Sequence, residues 1–166
     1  MKNRKIIMKK LKIYLDTSVI NFLFADDALD YQKITKEFFD DYLEEYAVYV
    51  SEIVYAEINR TSDINKRELL LGTITKYKLE VFNKLTDEIE RLADCYIKEL
   101  VIPKNKLEDA LHIAFSTFYE FDLLLSWNFK HLANVKKQMA VNAINEREGY
   151  TKRLLLINPM EVIYEK

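Results

Sequence analysis

Glycine, proline, cysteine and histidine are all scarce here: two Gly, two Pro, one Cys and two His among 166 residues. Two glycines allow neither a glycine-rich loop to cradle a phosphate nor a dinucleotide-binding fingerprint. With so little Gly and Pro there is no flexible linker, and a chain of this length can bury one core without staples, so residues 1–166 read as a single domain. Cys95 alone excludes an internal disulfide, which suits a reducing cytoplasm, and the helical pattern around it makes it a small buried side chain rather than a nucleophile. Two His and one Cys cannot build the common types of zinc site. No Gly-x-Ser-x-Gly elbow exists, and an aspartyl-phosphate phosphatase would want an acid where Ser18 stands, two residues after Asp16. No apolar run could span a bilayer, so no membrane partner is expected. Residues 1–10 carry Lys2, Arg4, Lys5, Lys9 and Lys10 around Ile6, Ile7 and Met8, too short for a signal peptide, and read as a frayed basic leader.

Charge of one sign is lacking as well. Twenty-five Lys and Arg against 27 Asp and Glu leave a net charge of −2, so any nucleic-acid surface has to be local. One such stretch runs over 129–153, where six basic residues, Lys130, Lys136 and Lys137 among them, face two acids; a solvated helix face explains the same charges.

Against these absences stands an alternation of short apolar runs and helical stripes. Strands are predicted at 11–15, 47–50, 79–82, 122–126 and 154–157. Helical spacing fills the intervals. Tyr31, Ile34, Phe38, Tyr42 and Tyr46 mark a helix over 28–46, and Ser51 caps one that carries Glu57. Another covers 62–77. Thr86 caps a helix with the stripe Ile89, Leu92, Ala93, Tyr96, Ile97 and Leu100, which Pro103 keeps from continuing. Asn105 opens the next, with Glu108 at capping-box spacing; mixed helix follows over 129–148, and a terminal turn over 159–163. This order argues for an α/β fold, a parallel sheet covered on both faces by helices.

Three acids stand out. Asp16 ends the first strand, where ligand chemistry gathers in open α/β sheets, although an Asp before a helix is also a common cap. Glu57 sits between Ala56 and Ile58, and Asp109 lies in the first turns of an apolar helix, with His112 on its face three residues later. A lone His on such a helix is more often a hydrogen-bonded core residue than a ligand, and an outward, solvated Glu57 is an equally ordinary arrangement. If the strand ends and helix N-termini share one cleft, Asp16, Glu57 and Asp109 meet there with Ser126 and Asn128 on the rim. Crowded carboxylates raise one another's pKa unless a cation neutralises them, and hard oxygen ligands suit Mg²⁺ or Mn²⁺ and phosphoryl chemistry.

Four stretches in order, Asp16-Thr17-Ser18-Val19-Ile20, Tyr55-Ala56-Glu57-Ile58, Glu108-Asp109-Ala110-Leu111-His112-Ile113-Ala114 and Leu125-Ser126-Trp127-Asn128-Phe129-Lys130-His131-Leu132, resemble the PIN domain family and its VapC-like toxin branch. The resemblance runs from about Leu11 to near the C-terminus. It implies a three-layer α/β/α sandwich on a mainly parallel sheet and a metal-dependent endoribonuclease, with Asp16, Glu57 and Asp109 as ligands of Mg²⁺ or Mn²⁺. Many relatives carry a fourth acid where this chain offers Asn128 or His131, so a second metal would bind weakly. Ser126 matches a hydroxyl that orients metal-bound water. Arg60, Lys130, Lys136 and Lys137 are the candidate RNA backbone contacts. Toxin-like relatives pair as homodimers and take a small antitoxin protein into the acidic cleft; Tyr31, Phe38, Phe39, Tyr42 and Tyr46 could supply an interface or the core. Two other functions share the same acids: a catalytically weak or inactive PIN-fold module that binds RNA or protein, and a small-molecule phosphohydrolase.

Overall fold

The computed structural model describes residues 9–82 and 84–164; apart from Lys9 and Lys10, the basic leader lies outside the described residues. Five parallel strands, β1 (Lys12–Leu15), β2 (Ala47–Ser51), β3 (Glu80–Phe82), β4 (Leu123–Leu125) and β5 (Leu155–Ile157), line up in the order β3-β2-β1-β4-β5. β1 is central, with Tyr14 in register with Tyr49 on one side and Leu124 on the other. Ile13, Tyr14 and Leu15 are completely buried, which is why this strand reads as an unbroken apolar run instead of an alternating one.

Seven α-helices connect the described strands: α1 (Thr17–Phe22), α2 (Leu29–Glu37), α3 (Glu52–Asn59), α4 (Ile64–Lys76), α5 (Asp87–Lys98), α6 (Leu107–Phe118) and α7 (Val135–Arg147). α2 runs on into a π turn, Phe38–Tyr42, and a 3₁₀ turn, Leu43–Glu45; a last 3₁₀ turn spans Pro159–Val162. α1 to α4 pack on one another, as do α5 to α7. The topology accounts for the two layers. The chain steps from β1 out to β3, then crosses back to β4 beside β1 and steps the other way, so right-handed crossovers place the two helix groups on opposite faces. The reversal between β1 and β4 leaves a crevice at their carboxyl ends, where Asp16 and Ser126 follow directly.

Scarce glycine shows at the helix ends. α4, α5, α6 and α7 each close through a residue with positive φ, at Lys78, Leu100, Glu120 and Gly149, and the next amide reaches back to the last turn, as Leu79 N–H does to the Ile74 carbonyl at 3.0 Å. Only Gly149 adopts that conformation without a side-chain penalty; the other three carry a cost of about 1 to 2 kcal/mol each. Leu100 is thus a helix terminator, 76% exposed, and not the last member of the α5 stripe.

The structure also moves two helix starts and settles where the aromatics lie. α6 begins at Leu107 with Lys106 at its N-cap and no side-chain cap bond, so the Asn105–Glu108 capping box does not form; Glu108 is drawn instead to Arg60, at 2.9 Å. Among the five aromatics considered for an interface, Phe38, Phe39 and Tyr42 are core, Tyr46 is half-buried against it, and Tyr31 alone is exposed. α4 also starts later than the pattern suggests, with Asp63 as its cap.

Asp122 ties the sheet together at the start of β4. Its carboxylate accepts the Lys12 amide at 2.7 Å and Lys152 Nζ at 2.8 Å, while its carbonyl takes the Leu155 amide at 3.2 Å. Burial opposes the charged form, but the Lys152 and Lys12 bonds outweigh it and hold the carboxyl below its ordinary pKa. A depressed acid stabilises the fold above its unfolded pKa, near 3.9, and loses that contribution as pH falls through the lower folded value. Asp122→Asn is expected to cost about 1 kcal/mol at pH 7, some 2 to 4 °C in Tm, and the difference from wild type should shrink below about pH 4. Thermal melts at pH 7 and pH 3 check it; an equal deficit at both would refute the electrostatic account.

Candidate active site

Asp16 is the N-cap of α1 and is 4% exposed. One carboxylate oxygen accepts the Ser18 hydroxyl at 2.5 Å and the Val19 amide at 3.3 Å; the other accepts the Ser126 hydroxyl at 2.6 Å. The cap that the sequence allows is made, and the same side chain also reaches Ser126 across the sheet. Ser126, fully buried at the end of β4, also accepts the Asn128 amide at 2.9 Å. Asn128 then uses both ends of its side chain: Nδ2 donates to Asp109 at 3.2 Å and Oδ1 accepts the His131 amide at 3.1 Å. A continuous chain of bonds, Asp16 to Ser126 to Asn128 to Asp109, thereby joins two of the three acids.

Glu57 belongs to the same neighbourhood by another route. His112, 2% exposed on α6, holds Glu57 through Nε2 at 2.5 Å and the Tyr14 hydroxyl through Nδ1 at 2.6 Å; that hydroxyl meets Ser51 Oγ at 2.7 Å. His112 is the hydrogen-bonded core residue expected of it, and it also bridges to the site. Glu57 and Asp109 line a cleft of about 340 Å³ with Arg60, Asn105, Lys106 and Glu108; Asp16 is not part of that lining.

The electrostatics are those of surplus negative charge on one buried and two half-buried acids. Burial pushes the Asp16 and Asp109 carboxyls up, His112 pulls both down, and Glu57 pushes them up further, with a raised net result for each. At His112 burial opposes protonation, but the Glu57 bond and the fields of Glu57, Asp16 and Asp109 prevail and raise its pKa. Among the described residues neither Asp16 nor Asp109 has an ion-pair partner, and no group of three or more His, Cys, Asp or Glu stands ready to hold a metal ion. The partners explain why the acids do not form a ready triad: Glu57 is taken by His112 and Asp109 by the Asn128 amide. As a donor set, three carboxylates, two of them destabilised as anions, fit a hard divalent cation. Two buried polar atoms nearby, Thr17 Oγ1 and His131 Nδ1, lack partners among the described residues. Burial pushes His131 down despite the pull of Asp109, so it is a neutral imidazole and adds no charge in place of a fourth acid.

The basic candidates divide. Lys130 and Lys136 are exposed; Arg60 is paired with Glu108, and Lys137 Nζ donates to the Val101 carbonyl, so both are engaged within the protein. Sequence reasoning missed Tyr14 and Ser51, whose role comes from contacts across 98 and 37 positions that no local pattern signals. It also missed Lys106, a cation in the cleft beside Asp109. Ser18 was legible as a hydroxyl beside Asp16, but not as a ligand of both Asp16 and the Trp127 amide, at 2.9 Å.

The sequence model of the PIN domain family matches residues 13–136, well over half of the chain. This chain belongs to the PIN domain family. The match takes in Asp16, Ser126 and Asn128 just past the ends of β1 and β4, Asp109 in the first turn of α6 and Glu57 in the last turn of α3. Two solved structures share this PIN fold. A chain of a toxin–antitoxin complex from Klebsiella pneumoniae superposes with a TM-score of 0.54 at 19% identity, covering 75% of this chain and 93% of that one. A chain of VapBC2 from Rickettsia felis, bound to a DNA fragment from its promoter, superposes with a TM-score of 0.50 at 16% identity, covering 72% and 90%. No curated protein matches the sequence. Among the described residues, no helix of this PIN domain is long and apolar enough to cross a membrane.

Proposed function

We propose that this PIN domain is a Mg²⁺- or Mn²⁺-dependent endoribonuclease and the toxin of a toxin–antitoxin pair. The observation that carries the reading is the pair of destabilised carboxylates, buried Asp16 and half-buried Asp109, joined through Ser126 and Asn128 at the sheet's topological switch point. Asp16, Glu57 and Asp109 would hold the ion. When bound, the ion would supply a water of lowered pKa and positive charge against the phosphate. The chain's own residues do the positioning. Ser126 donates to Asp16 and fixes its second oxygen; Asn128 orients Asp109 through one N–H, and its second N–H remains to hold a water. Lys106, Lys130 and Lys136 are the exposed cations for backbone phosphates. Hydrolysis joins the water oxygen to phosphorus and breaks the P–O3′ bond, the proton ending on the departing 3′ oxygen, which leaves a 5′ phosphate and a 3′ hydroxyl.

The partner reading has its own support. Both structural neighbours come from complexes named as toxin–antitoxin or VapBC. A cavity of about 690 Å³ that none of the three acids lines has Leu23, Phe24, Leu69 and Tyr77 among its apolar residues and Lys36, Lys76, Asp40 and Glu68 among its charged ones, a lining suited to an amphipathic helix of a small antitoxin. A second reading, a PIN-fold module that binds RNA without cutting it, is favoured by one observation: an amide, Asn128, in place of a fourth charge.

End-labelled single-stranded RNA incubated with the protein separates these readings. Cleavage to 5′-phosphate products in Mn²⁺ and none in EDTA is the expected result. Retention of uncut RNA in Mn²⁺ would favour the binding module, and turnover of mononucleotide esters alone would favour a small-molecule phosphohydrolase.

A further inference from the structure

Beside the acids lies a cluster of four aromatic rings that the chemistry above does not use. Tyr31 and Phe129 are 38% and 41% exposed with ring centroids 6.0 Å apart. Under them Trp127, 5% exposed, lies 4.8 Å from Tyr31 and 5.8 Å from Phe129, and Phe22 lies 5.9 Å from Tyr31 and 5.7 Å from Trp127. The floor is pinned: Trp127 Nε1 donates to Thr35 Oγ1 at 2.9 Å and its amide to Ser18 Oγ at 2.9 Å. Two large rings presented to water on so rigid a base are a poor arrangement for stability alone. Side chains along 126–129 alternate between the two features, Ser126 and Asn128 serving the acids while Trp127 and Phe129 build the shelf.

We propose that Tyr31 and Phe129 form a stacking shelf for one unpaired nucleobase of the RNA, a subsite that rests on the ribonuclease reading and names what it grips. Base stacking on aromatic rings is how single-stranded RNA is held without sequence preference. Phe129 follows Asn128 directly, about 3.8 Å along the chain at Cα, and Asn128 is bonded to Asp109, so the shelf lies close enough for a base of the same strand that passes the acids, with exposed Lys130 next for a phosphate. A docked protein fits less well, because the shelf offers two partly exposed rings flanked by the polar Asn128 and Lys130, whereas a stable protein interface takes roughly 20 to 30 residues a side.

Trp127 is the chain's one tryptophan, a native reporter beneath the shelf. The full chain is titrated in EDTA with a 12-nucleotide single-stranded RNA and with an abasic strand carrying the same phosphates. RNA should change Trp127 emission and bind more tightly than the abasic strand. The double variant Tyr31→Leu, Phe129→Leu should weaken RNA binding by roughly five- to a hundredfold and raise KM in Mn²⁺ with little change in kcat. If the double variant does not fold, Phe129→Leu alone should weaken binding in the same direction, and the abasic comparison needs no substitution. Wild-type protein that cuts RNA, yet binds abasic strand equally well with unchanged Trp127 emission, would overturn the shelf and leave the nuclease reading standing. Wild-type protein that neither binds nor cuts RNA would overturn both.

Discussion

On the ribonuclease reading, Asp16→Asn is expected to lower RNA cleavage by about a hundredfold and to abolish stabilisation by Mn²⁺, while the metal-free variant should melt at or above the wild-type temperature. The first two effects follow from removing a ligand oxygen and its charge. The third follows from burial: Asp16 is 4% exposed and its carboxyl is pushed up, first by desolvation and further by Glu57, so its ionised form is a cost to the fold at pH 7. Asparagine keeps one acceptor for the hydroxyls, and its amide can donate to a serine oxygen. Wild-type protein in Mn²⁺ at a hundred times Kd gains about 2.7 kcal/mol, which for a chain of this size is roughly 5 to 11 °C. Melting curves of both proteins with and without Mn²⁺, beside a cleavage assay, test all three statements. An undiminished Mn²⁺ shift in the variant would remove Asp16 from the metal site.

His112→Ala is expected to cost about 3 kcal/mol, some 6 to 12 °C in Tm. The imidazole is buried to 2% exposure, packs 5.5 Å from the Tyr14 ring, and is the partner of both Glu57 and the Tyr14 hydroxyl. Its loss leaves a cavity, an unpartnered hydroxyl, and Glu57 near Asp16 and Asp109 with no cation among them. Because a divalent ion would then meet three uncompensated acids, the Mn²⁺-induced rise in Tm should be larger in the variant than in wild type. A loss under about 1 kcal/mol, typical of an exposed pair, would show that the bridge is loose in solution.

The inner strands are legible because each is a short apolar run such as Leu123-Leu124-Leu125, largely buried and bounded by polar residues, while edge strands β3 and β5 are partly exposed. Helix starts at Ser51 and Thr86 are legible because their side chains do what a cap does, accepting the Ile53 and Ile89 amides at 3.2 and 3.3 Å. The start of α6 misleads for a physical reason: Glu108 sits at capping-box spacing but is drawn by Arg60, 48 positions away. The end of α5 misleads because Leu100 continues the apolar spacing while its backbone turns left-handed. Phe38, Phe39 and Tyr42 could not be sorted into core or interface by spacing, which fixes a face and not what covers it. At the site, Asp16, Glu57 and Asp109 could be named from position on their elements. That Glu57 is held by a histidine, and Asp109 by an amide, depends on contacts across 55 and 19 positions and had no local signature.

The central place of β1 has a consequence during synthesis. Asp16 is made early, but its Ser126 partner comes 110 residues later, on the strand that closes β1's second edge. At about 5 to 20 residues per second, Asp16 waits roughly 5 to 20 s on the ribosome before that hydroxyl exists. A nascent chain shorter than 126 residues therefore lacks the hydroxyl that fixes Asp16, and on the ribonuclease reading it holds no finished centre beside the messenger it is made from.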